Sequence, residues 1–255
     1  MIFYVLNLRK LKRNCLISVG VICLILVFAL LYHIVGESLV YISASTPEDS
    51  ISGIVVLDAG HGGEDPGAVG VGGILEKDLN MQIVQALAEE LQSKGFIVVL
   101  TRSSDKLLYN ENENIKGMRK IYDLKNRCKI ANSHPEAIFL SIHMNSFADS
   151  VYKGLQVYYS DNNTGSQALA KCIQSEVAEQ VQTDNTRAVK NGKGLYLLDH
   201  SEPVAVLVEC GFITNQEDCK NLSEKEYQKR LSFSIVCGII KYIEMNSNEN
   251  DTTFD

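Results

Sequence analysis

The sequence predicts an α/β fold in which one sheet is covered by helices on both faces. Three observations carry that expectation. Short apolar runs alternate with stretches whose apolar residues recur every three or four positions, the pattern of strands interleaved with amphipathic helices. The runs are apolar at successive positions rather than at every second one, as strands buried between two helix layers are. Neither an internal repeat nor a second series of this kind is present, so the body forms a single domain.

The first strand is expected at 54–58, where an apolar run ends on glycines. Leu79, Ile83, Leu87 and Leu91 then recur every four residues, which puts them on one face of a helix that Gly95 ends. Strand 96–100 follows, then a helix over 117–132 and a strand at 137–141. Gly154 leads into strand 155–159, and Ala168, Leu169, Cys172, Ile173 and Val177 mark a third helix. Residues 204–208 form another apolar strand. Ser223 and Glu226 have the spacing of a capping box that opens the last helix, whose buried stripe includes Leu231, Ile235, Ile239 and Ile243. From Asn246 the chain is polar, and 246–255 reads as a disordered tail.

Three shorter segments precede this body. Arg9, Lys10, Lys12 and Arg13 make residues 1–14 a basic flank, and 15–35 is apolar apart from Ser18, His33 and glycine. A helix of that length spans a hydrocarbon core of about 30 Å, and the basic flank stays cytoplasmic. A transmembrane anchor and a cleaved signal segment both account for it, although Ile42-Ser43-Ala44 is a poor cleavage site. Either way the body is exported, to the outer face of the cytoplasmic membrane or beyond. Residues 36–52, rich in Ser, Thr and acids, read as a linker, and 53–245 as the folded domain.

Charge and cysteine narrow the function. The net charge of −7 comes from 24 basic and 31 acidic residues, with four of the basic and one of the acidic in the first 45 positions. The body is therefore acidic, which excludes nucleic acid as a partner. The five cysteines after the apolar segment fall mostly on apolar faces and lack C-x-x-C spacing, as buried small hydrophobes do.

In such sheets ligands bind at the carboxyl ends of strands. After the first strand comes Asp58-Ala59-Gly60-His61-Gly62-Gly63; after the third, Ile142-His143-Met144-Asn145-Ser146; after 204–208, Glu209-Cys210-Gly211. Two histidines and a carboxylate thus converge on one edge, and Glu76 closes the glycine-rich loop that begins at His61. Two imidazoles and one carboxylate make a catalytic zinc set with an open fourth position, leaving the second carboxylate free to act as general base. Glu209 follows five apolar residues, where an unpaired carboxylate is costly, so it belongs to a buried ion pair or to a site. Seven glycines between Gly60 and Gly73 make either a flexible loop or a backbone that closely approaches a ligand. His134 and His200 read as structural or surface residues. No phosphate loop, H-E-x-x-H helix or G-x-S-x-G elbow is present, which sets aside nucleotide binding, a thermolysin-type site and nucleophilic Ser141 or Ser146.

Four blocks taken together resemble a known family. They are Val55-Val56-Leu57-Asp58-Ala59-Gly60-His61-Gly62-Gly63, Glu76-Lys77-Asp78, Ser141-Ile142-His143-Met144-Asn145-Ser146 and Leu207-Val208-Glu209-Cys210-Gly211-Phe212. In this order they resemble the signature of zinc-dependent N-acetylmuramoyl-L-alanine amidases, the amidase 3 family; Thr101-Arg102 and the stretch from Arg127 to Asn132 match as well. The resemblance implies a mixed, mostly parallel six-stranded sheet and one Zn2+ held by His61, Glu76 and His143. It implies Glu209 as the catalytic carboxylate, with Asn145 and Arg127 binding substrate or supporting the site. The implied reaction is hydrolysis of the amide between N-acetylmuramic acid and L-alanine of peptidoglycan.

Within the family, a lone catalytic domain behind an apolar segment is similar to the germination-specific amidases of spore-forming bacteria. That similarity implies a role in the spore cortex, between the two spore membranes, leading to muramic-δ-lactam. It also implies a separate muramic acid deacetylase in the pathway and an accessory lipoprotein as partner, as in clostridial relatives. A vegetative autolysin, a zinc peptidase on another wall bond and a non-catalytic wall-binding module are the alternatives.

Overall fold

The computed structural model describes residues 53–251. The basic flank, the apolar segment at 15–35, the linker at 36–52 and residues 252–255 lie outside the described residues. Along the chain come β1 (Ile54–Ala59), α1 (Glu76–Ser93), β2 (Ile97–Leu100), α2 (Arg119–Asn132), β3 (Ile138–Asn145) and β4 (Gln156–Tyr159). They are followed by α3 (Gly165–Gln180), β5 (Lys190–Asn191), α4 (Tyr196–His200), β6 (Val204–Phe212), α5 (Gln216–Leu222) and α6 (Lys225–Asp251).

The strands form one six-stranded sheet in the order β2-β1-β3-β6-β4-β5. β2, β1, β3 and β6 run parallel, whereas β4 pairs antiparallel with β6 and parallel with β5. Alternate residues of each strand serve different cores. Val55, Leu57, Leu140, Ile142, Val206 and Val208 pack under α1, α3 and α6, together with Leu79, Ile83, Leu87, Ile173, Leu231 and Ile235. The opposite face is thinner: Val56, Val99, Phe139, Ala205 and Leu207 meet Cys128, Ala131, Leu197 and Leu198 from α2 and α4. The expected leucine stripe of α1 is buried throughout, each such side chain contributing roughly 1.5–3 kcal/mol. At the end of that helix Gly95 takes φ 92°, and Phe96 N–H bonds back to the Leu91 carbonyl, the left-handed closure glycine permits.

Two expectations near the C-terminus are corrected. Ser223 does not open the last helix; it ends α5, its hydroxyl donating to the Cys219 carbonyl at 2.7 Å. The cap that does form is Asn215, whose side chain accepts from the N–H groups of Glu217 and Asp218. The last helix also continues past Asn246 to Asp251, beyond the end of its apolar stripe at Ile243. The five cysteines of the body are free, and all but Cys237 are buried. Among the described residues no helix is long and apolar enough to cross a membrane. Segment 103–113 carries only a 3-10 turn at Glu111–Glu113.

Candidate metal centre

Every site residue expected from the sequence except Glu76 sits on strand ends or helices of the thinner face, and Glu76 reaches it from the start of α1. His61 follows β1 after a single glycine, and its backbone holds φ 62°, unusual for a residue with a side chain. His143 lies on β3 directly across from Glu209 on β6. Glu76 Oε1 is 3.1 Å from His61 Nε2 and 2.9 Å from His143 Nδ1. The three ligand-capable atoms all lie within 4.8 Å of one another. Nitrogen and oxygen ligands about 2.0–2.1 Å from a tetrahedral ion stand roughly 3.3 Å apart, so an ion fits after small adjustments. The donor set is the one zinc takes in open catalytic sites.

Each donor is held from behind. His61 Nδ1 shares a 2.8 Å hydrogen bond with Asp65 Oδ2, which leaves Nε2 to face Glu76 and fixes the ring as a carboxylate behind a metal histidine does. Glu76 accepts from Ala68 N–H at 2.8 Å and Met144 N–H at 3.1 Å. Burial opposes its ionisation, but hydrogen bonds and charge from His143 and His61 outweigh that and hold its carboxyl far below the usual range. For His61 the order is similar: burial pulls its pKa down, and Glu76 with Asp65 raises it overall.

Glu209 is different. Burial pushes its carboxyl up to about 7, and Oε2 is buried with no hydrogen-bond partner. A carboxylate left without a partner is costly, and here it borders three donors that could hold a cation.

Two glycines of the loop are explained by this crowding. A Cβ on Gly60 would overlap the His143 imidazole, and one on Gly67, at φ 68°, would stand 2.5 Å from Glu76 Oε2 and 2.7 Å from His61 Cδ2. Gly60→Ala is therefore expected to displace His143 and weaken metal binding by roughly 10–100-fold, the usual cost of disturbed ligand orientation. Competition with a chromogenic chelator measures it, and unchanged affinity would refute the close-approach reading.

Arg127 lies beneath the site and is 1% exposed. It donates to Asp58 Oδ1 and the Ala59 and His61 carbonyls at 2.6 Å, and to Asp123 Oδ2 at 2.8 Å. Asp58 also accepts from Thr101 and Ser141 hydroxyls. Burial alone would raise the Asp58 pKa; the Arg127 guanidinium and these hydroxyls hold it below its ordinary value. Asn145 stands at the rim, its side chain accepting from Ser146 N–H and its carbonyl from Ile213 N–H. His134 and His200 lie elsewhere: His134 is 3.9 Å from Glu136 and His200 stacks on Tyr196.

Sequence reasoning missed two supports. Asp65 carried the signal of a carboxylate four residues after a histidine in a glycine loop. Arg102, buried, ties the carbonyls of Ala59, Gly60 and Lys77 together; Thr101-Arg102 matched the family, but nothing in the sequence gave this residue a role.

A family model described as N-acetylmuramoyl-L-alanine amidase matches residues 55–241. The chain belongs to that family. The amidase is 34% identical over 189 residues to the germination-specific N-acetylmuramoyl-L-alanine amidase of Bacillus subtilis, covering 74% of this chain and 79% of the relative. Among solved structures it is similar to the CwlD amidase of Clostridioides difficile, determined in complex with the GerS lipoprotein. That match has 39% identity and a TM-score of 0.72, over 76% of this chain and 99% of the other. AmiC2 of Nostoc punctiforme matches at 34% identity and a TM-score of 0.66, over 76% and 99% of the two chains. The family, the amidase activity and the six-stranded α/β fold expected from the sequence all hold for this amidase.

Proposed function

We propose that the amidase hydrolyses the bond between N-acetylmuramic acid and L-alanine with one zinc ion held by His61 Nε2, a Glu76 carboxylate oxygen and His143 Nδ1. The observation that carries this reading is the convergence of those three donors beside the unpartnered Glu209 carboxylate. When bound, zinc makes a water acidic enough to ionise near neutral pH and draws electron density from the scissile carbonyl. Glu209 takes the proton of the attacking water and returns it to the departing alanine nitrogen, as a general base and then acid does. Arg127 touches no substrate; fully engaged beneath the loop, it positions His61 through the backbone. Asn145 supports the rim of the site at the end of β3.

The cellular role we infer is outside the cytoplasmic membrane, in maturation of the spore cortex toward muramic-δ-lactam, with a separate deacetylase acting next. Support comes from the germination-specific relative and the apolar segment at 15–35. An accessory lipoprotein is the proposed partner, since the similar clostridial amidase was solved with one.

The test is digestion of purified peptidoglycan by the zinc-loaded protein, with mass spectrometry of released stem peptides. Peptides beginning at L-alanine are expected. Release of fragments with another terminus would instead mark a peptidase. His61→Ala and His143→Ala are expected to retain less than one zinc per chain after dialysis and to release no peptide; full zinc retention would remove them from the ligand set. For the cellular role, cortex from a strain lacking the protein is expected to contain no muramic-δ-lactam, and normal lactam content would overturn it.

A further inference from the structure

Beyond Glu209 the same sheet face carries a cation that the reaction described above does not use. β4 runs antiparallel to β6 and sets Gln156 opposite Glu209, so both side chains leave one face about 5 Å apart. Gln156 is buried; its Nε2 donates to the Ala188 carbonyl at 2.6 Å, and its Oε1 accepts from Arg187 Nη1 at 3.3 Å. Arg187 Nε donates to the Lys153 carbonyl at 2.8 Å. The guanidinium lies 4.7 Å from the centre of the Phe212 ring and 6.0 Å from that of Tyr152.

Phe212 reaches this position through a bulge. His143 pairs with Glu209 but Asn145 pairs with Phe212, so β6 spends one residue more than β3 and its alternation of faces is reset. Asp218 holds the bulge, one carboxylate oxygen accepting from Phe212 N–H at 2.7 Å and Gly154 N–H at 2.8 Å.

Arg187 is thus fixed by a carbonyl, an amide and two aromatic rings, with its Nη2 edge left over. Among the described residues it makes no ion pair, whereas neighbouring Lys153 is bound to both Asp184 and Glu217. A half-buried guanidinium in an acidic body, oriented but not neutralised, suits an anion that arrives with the substrate. Arg187 stands one side chain beyond Gln156, which is itself one strand from Glu209, so it is placed to meet a group just past the residue at the scissile bond.

We propose that Arg187 is a specificity-determining residue that binds the free carboxylate of the second stem-peptide residue, next to the released L-alanine. The proposal rests on the amidase reading and adds a preference for stems whose second residue is not amidated.

The experiment compares two disaccharide–tetrapeptide muropeptides that differ only in whether that carboxylate is free or amidated. Arg187→Ala is expected to raise KM for the free acid roughly 10–100-fold, the range of a charge-assisted hydrogen bond, with kcat within about twofold and no change for the amidated form. Arg187→Lys should recover part of the loss. An equal rise in KM for both substrates would mark Arg187 as merely structural, and no rise for either would also overturn the proposal. If the wild type cut neither substrate, the amidase reading would fail by itself. Calorimetric binding of the same two muropeptides to the zinc-loaded wild type and Arg187→Ala would then still decide the carboxylate preference, with equal loss or no loss counting against it.

Discussion

Glu209→Gln is expected to bind one zinc per chain and to release stem peptides roughly 10²–10⁴-fold more slowly than the wild type, the usual contribution of a general base. The change is close to isosteric, and Oε2 has no hydrogen bond to lose, so folding and the three donors should survive it. An amide accepts no proton from the attacking water. Metal analysis after dialysis, paired with a timed digest, separates the two effects, and wild-type turnover would strip Glu209 of its role. The same residue sets a stability signature in the metal-free protein. Burial raises its folded pKa from 4.5 to about 7, so the folded state holds the proton more tightly than the unfolded one. Stability therefore falls as pH rises between these values. The glutamine variant should lack that contribution, which thermal unfolding across the range can read.

Arg127→Ala is expected to cost about 3–5 kcal/mol, the range for removing one partner of a buried ion pair. For a domain of this size that is a fall of roughly 6–20 °C in Tm. The loss is large because Asp58 and Asp123 would both stay buried without their cation, while the Ala59 and His61 carbonyls would lose a donor. Acid should narrow the difference. In the wild type the depressed Asp58 pKa gives stability that is present above about pH 4 and lost below it. Without Arg127 the carboxyl takes a proton at higher pH, so the deficit shrinks on acidification toward pH 4. Equal melting of the two proteins at pH 7 would refute the account.

How much of this was legible depended on where the information resides. β1, β3 and β6 are central strands buried on both faces, so their apolar runs announced them, and the polar residue ending each run stood out as a departure that needed a reason. Glu209 was found that way, and His61 and His143 among the residues that follow the other two runs. β4 and β5 lie toward the sheet's edge; β5 is two exposed residues, too short to leave a periodicity, and the antiparallel turn of β4 depends on pairing rather than on its own composition. Ser223 satisfied a local pattern, but the neighbouring helix end offered its hydroxyl a nearer acceptor. Asp65 and Arg102 act through contacts across the loop, and no spacing rule encodes which carbonyl or imidazole a side chain will meet.

The pairing of His143 with Glu209 has a consequence in time. The groups that gather the ion come from positions 61, 76 and 143, and the carboxylate beside them from 209. One loop joins positions 61 and 76, but 143 and 209 meet them only when parallel strands from distant parts of the chain have come into register, and such long-range pairing is a slow step of folding. An unfolded chain offers only scattered imidazoles and carboxylates, with no preformed cage. On the proposed zinc reading the ion is captured late, in whichever compartment the sheet closes. For a chain carried across a membrane unfolded, the supply of zinc on the far side, rather than in the cytoplasm, would set how much of the protein becomes active.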